Sequence, residues 1–175
     1  MIVFRNSDRD VPFFWESDAQ RAGRWHEDGG GPAQYLSSTP DAAWAEFLRH
    51  QEIDDPADLA GIERCLWAAE IPDDEPVGLP ALPAALLRGD VSSYPACRAE
   101  ARRIRSTGMT RLVAPSAAVD ETLASGWRTD GGLVPGEVRQ ESTIVLFGAR
   151  PAVHAWQACA LGRPAVSLLA RVRPL

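Results

Sequence analysis

Cysteine is scarce in this chain. Cys65, Cys97 and Cys159 are odd in number and far apart, so they fit neither a disulfide framework nor a zinc site. A reducing, cytoplasmic setting is the simplest expectation. Long hydrophobic runs are missing as well. No apolar stretch approaches the roughly 20 residues of a transmembrane helix. The opening Met1-Ile2-Val3-Phe4-Arg5-Asn6-Ser7-Asp8-Arg9-Asp10 lacks the apolar core of a signal peptide, and no membrane partner is expected. Excess positive charge is absent too. The formal net charge is -6 and the pI about 5.1, so no overall basic field draws the chain directly to nucleic acid or anionic lipid. There is no internal repeat and no low-complexity tract.

Several common site signatures are also lacking. Gly29-Gly30-Gly31-Pro32 has neither the spacing nor the preceding strand of a P-loop or dinucleotide fingerprint, and reads as a flexible turn. No Gly-x-Ser-x-Gly elbow surrounds Ser116, which argues against a hydrolase nucleophile. His26, His50 and His154 are scattered without metal-ligand spacing, so no metal is expected.

What is present is an ordinary globular composition, 24% charged and 45% hydrophobic over 175 residues, long enough for one domain, 1–175, with its own core. Ile2 to Arg5 predicts a first strand. Residues 6 to 33 read as loop, with Trp15 and Trp25 as anchors. Gln34 to Ser38 predicts a strand. Thr39-Pro40-Asp41 reads as a helix start with Thr39 as N-cap and Pro40 at the first helical position, and Trp44, Phe47 and Leu48 form the helix's apolar stripe. Residues 54 to 61 read as a polar connection, Cys65 to Ile71 as a strand, and Pro72 to Pro83 as a surface loop. Pro95 to Thr107 predicts a helix with Cys97, Ala101 and Ile104 inward, arginines around it and Gly108 as its cap. Met109 to Ala114 and Glu141 to Phe147 predict strands, Pro151 to Leu161 a helix, and Val166 to Val172 a closing strand. Strands outnumber helices in an irregular order, which predicts an α+β domain with a mixed sheet rather than a doubly wound one.

Arg24, Tyr35 and Glu46 each stand eleven positions after the one before. An arginine can hold a pyrophosphate, a tyrosine can stack on a flat ring, and a carboxylate can stabilise a sugar cation. The set suits a dinucleotide such as NAD. Each residue also has a plainer reading: Arg24 as a surface arginine, Tyr35 as strand packing, and Glu46 on a solvated helix face paired with Arg49 or His50. Ser116 follows Pro115 at a strand end, where sites gather in mixed folds.

The segments Phe4-Arg5, Gly23-Arg24-Trp25, Tyr35-Leu36-Ser37, Ala45-Glu46 and Val113-Ala114-Pro115-Ser116-Ala117 resemble the RES domain family, named for its Arg, Glu and Ser residues. The resemblance runs from Ile2 to about Val172 and is loose between Ile53 and Thr107. It implies a fold similar to ADP-ribosyltransferases, with a mixed sheet flanked by helices. It implies an NAD-consuming toxin of a bacterial toxin–antitoxin pair, whose usual partner is an Xre-type antitoxin covering the active site. Transfer of ADP-ribose to a target protein is the enzymatic alternative, and a non-catalytic binding module a further one. Arg24, Tyr35, Glu46 and Ser116 fill the family's catalytic positions, and Arg5 resembles its first-strand arginine. Arg5, Arg24, Tyr35 and Ser116 would bind NAD as the substrate. The family commonly has Asn after the Gly-Arg-aromatic triplet, where this chain has His26.

Overall fold

The computed structural model describes residues 1–14, 16–120, 126–138 and 140–175. Trp15, expected as an anchor, lies outside the described residues. In chain order the elements are β1 (Ile2–Ser7), β2 (Ala33–Ser37), α1 (Pro40–His50), β3 (Arg64–Glu70), β4 (Val77–Gly78), α2 (Ala84–Leu87), α3 (Tyr94–Ser106), β5 (Arg111–Pro115), β6 (Trp127–Thr129), β7 (Leu133–Pro135), β8 (Ser142–Phe147) and β9 (His154–Gly162). Short 3-10 turns at Pro56–Gly61, Val91–Ser93 and Val166–Arg171 complete the chain.

Seven strands form one mixed sheet in the order β4-β5-β8-β2-β1-β3-β9, and β6 and β7 form a separate hairpin. β4 and β5 run parallel, and every other neighbour in the large sheet is antiparallel. The fold is α+β, as the sequence pattern predicts. β1 pairs with β3 along its whole length, from Ile2 opposite Glu70 to Ser7 opposite Cys65. β2 pairs with β8 over five residues. Between β1 and β2, by contrast, the described register is the single pair Phe4–Ser37. The sheet is thus two half-sheets joined at one rung.

Local chemistry explains the helices. Thr39 Oγ1 accepts from the Ala42 amide at 3.2 Å, Pro40 sits in the first turn, and Asp41 faces the positive end of the helix dipole. Such a cap contributes about 1 kcal/mol. α1 buries Ala42, Ala43, Trp44, Ala45 and Leu48 against Leu59, Ile62 and Leu168. α3 turns Cys97, Ala101 and Ile104 onto Leu112 and Val145 of the sheet, and Gly108 follows it with φ 84°. The opposite face of the sheet is sealed by Phe13 and Phe14 over Val3, Leu36 and Ile144.

Three expectations are corrected. Pro151–Leu161 is not a helix: His154–Gly162 is β9, an edge strand paired with β3 from Glu70–His154 to Arg64–Gly162. The alanines at 152, 155, 158 and 160 favour helix locally, and pairing with β3 overrides that preference. Val166–Val172 is not a strand: Val166–Arg171 is a 3-10 turn that drops Leu168 onto α1. Phe47 does not join the core fully. It is half-buried, with the Arg64 guanidinium 4.5 Å from its ring centroid. The β6–β7 hairpin and the short β4 had no sequence signal of their own. Among the described residues no helix is long and apolar enough to cross a membrane.

Candidate functional site

The site gathers where α1 crosses the single-rung junction of the sheet. α1 commits Trp44 and Leu48 to the core, so helical geometry turns Glu46 and His50 to another side, above β2 and β8. Glu46 is not a solvated surface residue: its side chain is 24% exposed. Ser116 Oγ donates to Glu46 Oε1 at 3.1 Å and Thr143 Oγ1 donates to the same oxygen at 3.0 Å. Oε2 faces His50 Nε2 at 3.8 Å. Two hydroxyls, one just past the end of β5 and one on β8, therefore fix one carboxylate oxygen and leave the other toward open space.

That open space has two lobes. A lobe of about 180 Å³ is lined by Arg5, Tyr35, Ser37 and Phe47 among others. A lobe of about 320 Å³ is lined by Arg24, Trp25, Arg49 and Tyr94 among others. Tyr35, Glu46, His50 and Thr143 line both. Glu46 thus stands where the two lobes meet. Ser116 is buried behind Glu46, its hydroxyl also accepting from the Ala118 amide at 3.2 Å, and its neighbours Pro115 and Ala117 line the larger lobe.

Three buried or half-buried guanidiniums surround this space, and none forms an ion pair among the described residues. Arg5 Nη1 donates to Gln34 Oε1 at 2.7 Å, across the junction from β1 to β2. Burial, reinforced by Arg64, lowers its pKa to about 10, so it stays cationic at neutral pH. Arg24 donates through Nη1 to the Leu86 and Leu87 carbonyls and to Ser93, and through Nη2 to the Gly89 carbonyl. Its guanidinium also lies 4.7 Å from the Tyr94 ring centroid. Arg49 donates to the Ala117 carbonyl and, at 2.9 Å, to the same Gly89 carbonyl. Its buried Nε has no partner among the described residues. Burial, then Arg24, pushes the Arg49 pKa down. Neutral acceptors satisfy much of the hydrogen-bonding capacity of these cations, and the nearby carboxylates, Glu46 toward Arg49 and Asp90 toward Arg24 and Arg49, act only through space. A buried cation without a contacting counter-charge is costly, and an anionic ligand in the cleft relieves that cost.

Tyr35 completes the wall. Its hydroxyl accepts from the Trp25 amide at 2.8 Å and meets His26 Nδ1 at 2.9 Å. Burial pushes its pKa well above the ordinary tyrosine value, so the hydroxyl keeps its proton. This explains the glycine before Arg24. A Cβ at Gly23 would lie 2.7 Å from the Tyr35 hydroxyl and 2.9 Å from His26 Cε1. His26 is itself buried, and burial lowers its pKa; the Arg21 backbone carbonyl opposes that shift, approaching the ring without closing a hydrogen bond to Nε2.

Arg24, Tyr35 and Glu46 therefore reach one cleft with Arg5, and Ser116 reaches it through Glu46. The sequence reading passed over Thr143 and Tyr94, and treated Arg49 and His50 only as exposed partners of Glu46. Thr143 lies in the run Glu141–Phe147, where alternation places 143, 145 and 147 on one face, but nothing local shows what that face meets. Among the described residues no group of three or more His, Cys, Asp or Glu side chains is placed to hold a metal ion.

Sequence comparison matches the RES domain over residues 3–160, nearly the whole chain. The chain belongs to the RES domain family. No curated protein sequence matches this RES domain. Its fold is similar to that of a chain in the crystal structure of the M. tuberculosis MbcT–MbcA toxin–antitoxin complex, with a TM-score of 0.63 and 15% identity over 97% of this RES domain and 86% of the other chain.

Proposed function

We propose that the chain is an NAD-consuming toxin that cleaves the nicotinamide–ribose bond, acts as a single unit over residues 1–175, and works in the cytoplasm under the control of an Xre-type antitoxin partner that covers the cleft. The observation that carries this reading is one carboxylate, Glu46, fixed at the junction of two lobes lined by aromatic rings and by arginines that form no ion pair among the described residues. NAD has the matching form: two ring-bearing halves, a doubly charged pyrophosphate and a scissile glycosidic bond between sugar and base. Family membership and the likeness to a chain of a toxin–antitoxin complex support the toxin and partner parts of the reading.

In this reading the C–N bond of the nicotinamide riboside breaks with its electron pair leaving on nicotinamide. Positive charge develops on the ribose, as in glycoside cleavage. Glu46 Oε2, free of hydroxyl contacts, stabilises that cation, while Ser116 and Thr143 hold Oε1 still, so little reorganisation is needed. Attack by water forms the new C–O bond and releases one proton. Arg5, Arg24 and Arg49 supply the field that holds the pyrophosphate. Because the Arg24 Nη groups are engaged by Leu86, Leu87, Ser93 and Gly89, Arg24 acts as a fixed charge as much as a fork. Tyr35 presents its ring and hydroxyl to the bound substrate.

Nicotinamide release from NAD, followed by mass spectrometry with EDTA present, tests the reaction and identifies the acceptor: ADP-ribose for water, its phosphate ester for phosphate, a mass increment on lysate protein for a side chain. Glu46→Gln is expected to lower kcat by about 10²-fold or more while NAD binding falls far less. No nicotinamide above background under any of these conditions removes the proposal.

A further inference from the structure

A second cavity, of about 240 Å³, lies beside the cleft and shares only Trp25 with its larger lobe. Three arginines of α3 line it: Arg98, Arg102 and Arg105. Their spacing places them along one helical face, and that face is turned toward the Gly29–Gly30 turn. Two of them are held in place from behind. Arg98 Nε donates to the Gly23 carbonyl at 2.8 Å, and Arg105 Nη2 donates to the Gly30 carbonyl at 3.0 Å with its guanidinium 4.9 Å from the Phe147 ring centroid. One carboxylate, Glu27, lines the cavity and pairs with Arg102. Asp28 stands nearby, its Oδ1 accepting from the Ala22 amide at 2.6 Å. Three cations against one lining carboxylate leave the cavity positive.

His26 is the second and independent observation. It is 4% exposed, it lines this cavity, and its Nε2 has no hydrogen-bond partner among the described residues. The hydrogen bonds on its other side assign the tautomer. The Tyr35 oxygen accepts from the Trp25 amide, and among the described residues the hydroxyl proton has no acceptor within reach other than His26 Nδ1. Nδ1 is then an acceptor, and the proton of the neutral ring sits on Nε2. The Arg21 carbonyl approaches the ring without closing a hydrogen bond to Nε2, so this buried N–H donor, among three guanidiniums, is short of a negatively charged oxygen.

We propose that this cavity is a second anion site that binds a phosphoryl group, either free inorganic phosphate or the phosphate of a small phosphomonoester, on Arg98, Arg102, Arg105 and His26 Nε2. Planar guanidinium forks suit tetrahedral phosphate oxygens, and the cavity holds a phosphate with room for part of a sugar. The site is coupled to the cleft by one relay. A bound phosphoryl oxygen accepts from Nε2–H, locks the Nδ1 acceptor tautomer, and thereby fixes the Tyr35 hydroxyl. This inference does not depend on NAD turnover, because the site shares neither Glu46 nor Tyr35 with the cleft.

The test uses the whole chain without NAD and reads binding alone. Titrate inorganic phosphate against sodium chloride at matched ionic strength, and follow the His26 imidazole nitrogens by NMR together with the binding isotherm. The His26 Nε2 signal is expected to move with phosphate. Arg102→Glu is expected to weaken binding by at least about tenfold, one unit of charge-assisted interaction, and Glu27→Gln to tighten it by removing the competing carboxylate. Arg102 is 57% exposed in its side chain and pairs only with Glu27 in the described structure, so a folded variant is expected, with an unchanged circular dichroism spectrum as the control. A parallel titration with adenosine monophosphate separates the sources: tighter binding than phosphate marks a phosphomonoester ligand, equal or weaker binding marks the free anion. Phosphate binding that leaves His26 unmoved and ignores both variants belongs to the cleft and overturns the site, as does the absence of binding.

Discussion

Glu46 owes its position to two hydroxyls from separate parts of the chain, Ser116 just past β5 and Thr143 on β8, and that makes its environment divisible by mutation. Ser116→Ala and Thr143→Val each remove one hydrogen bond to a charged acceptor, worth about 1.5–3 kcal/mol where it is fully expressed. Each is expected to lower NAD turnover by roughly tenfold or more, with little change in substrate binding. In a Glu46→Gln background both effects are expected to shrink sharply, because neighbours acting through one group are not additive. Steady-state kinetics on the double-mutant cycle decides this. Full additivity means that Ser116 and Thr143 act elsewhere. Arg24 invites the opposite kind of test. Its two Nη groups reach four protein acceptors of the 86–93 segment, and a lysine has a single ammonium to offer. Arg24→Lys is expected to cost at least about 2 kcal/mol of stability, a fall in melting temperature of about 4–8 °C by calorimetry, in addition to weaker NAD binding. A variant that binds poorly but melts normally assigns Arg24 to the ligand alone.

Elements with their own local chemistry were legible in the sequence, and elements defined by their neighbours were not. α1 announced itself through Thr39, Pro40 and the Trp44–Leu48 stripe, and α3 through its inward Cys97, Ala101 and Ile104. β9 was misread because His154–Leu161 carries no marker of the strand it borders: its conformation comes from hydrogen bonds to β3, which no local pattern encodes. The 3-10 turn at Val166–Arg171 looked like a strand for the same reason, since burial of Leu168 under α1 is a tertiary event. The Gly23–Arg24–Trp25 and Ala45–Glu46 motifs gave the cleft's main residues through family resemblance. Thr143 and Arg49 stayed hidden because their roles depend on what stands opposite them. The β1–β2 junction makes a prediction at this scale. Among the described residues β1 and β2 share no register pair beyond Phe4–Ser37, and the amides of Phe4–Ser7 and Tyr35–Ser37 that face this junction are expected to exchange with deuterium faster than those facing β3 and β8. ADP-ribose is expected to slow them, because Arg5, Tyr35 and Ser37 line the cleft. Hydrogen-exchange mass spectrometry that finds no ligand effect on these peptides moves the binding site away from the junction.

Across the whole molecule, all 18 basic side chains are arginines and lysine is absent. The choice fits the way these cations are used. Arg24, Arg49, Arg98, Arg105 and Arg111 all donate to backbone carbonyls, where a multi-pronged, weakly hydrated donor can be buried more cheaply than an ammonium. In a chain with a net charge of -6, Arg24 and Arg49 thereby line one cavity and Arg98 and Arg105 the one beside it.

Load offers a different way to see the junction of β1 and β2. A sheet with seven strands and one lone rung has a perforation line. Force applied between β3 and β8, through handles placed on those two strands, is expected to tear the sheet along that line at a lower load than force applied between β3 and β9. The torn intermediate keeps both half-sheets folded, each rung resisting with only about 1 kcal/mol. A dinucleotide seated across the line would act as a stitch, and optical-trap records with ADP-ribose present are expected to show that first rupture moving to higher force. A single cooperative rip, indifferent to ligand, is the contrary outcome.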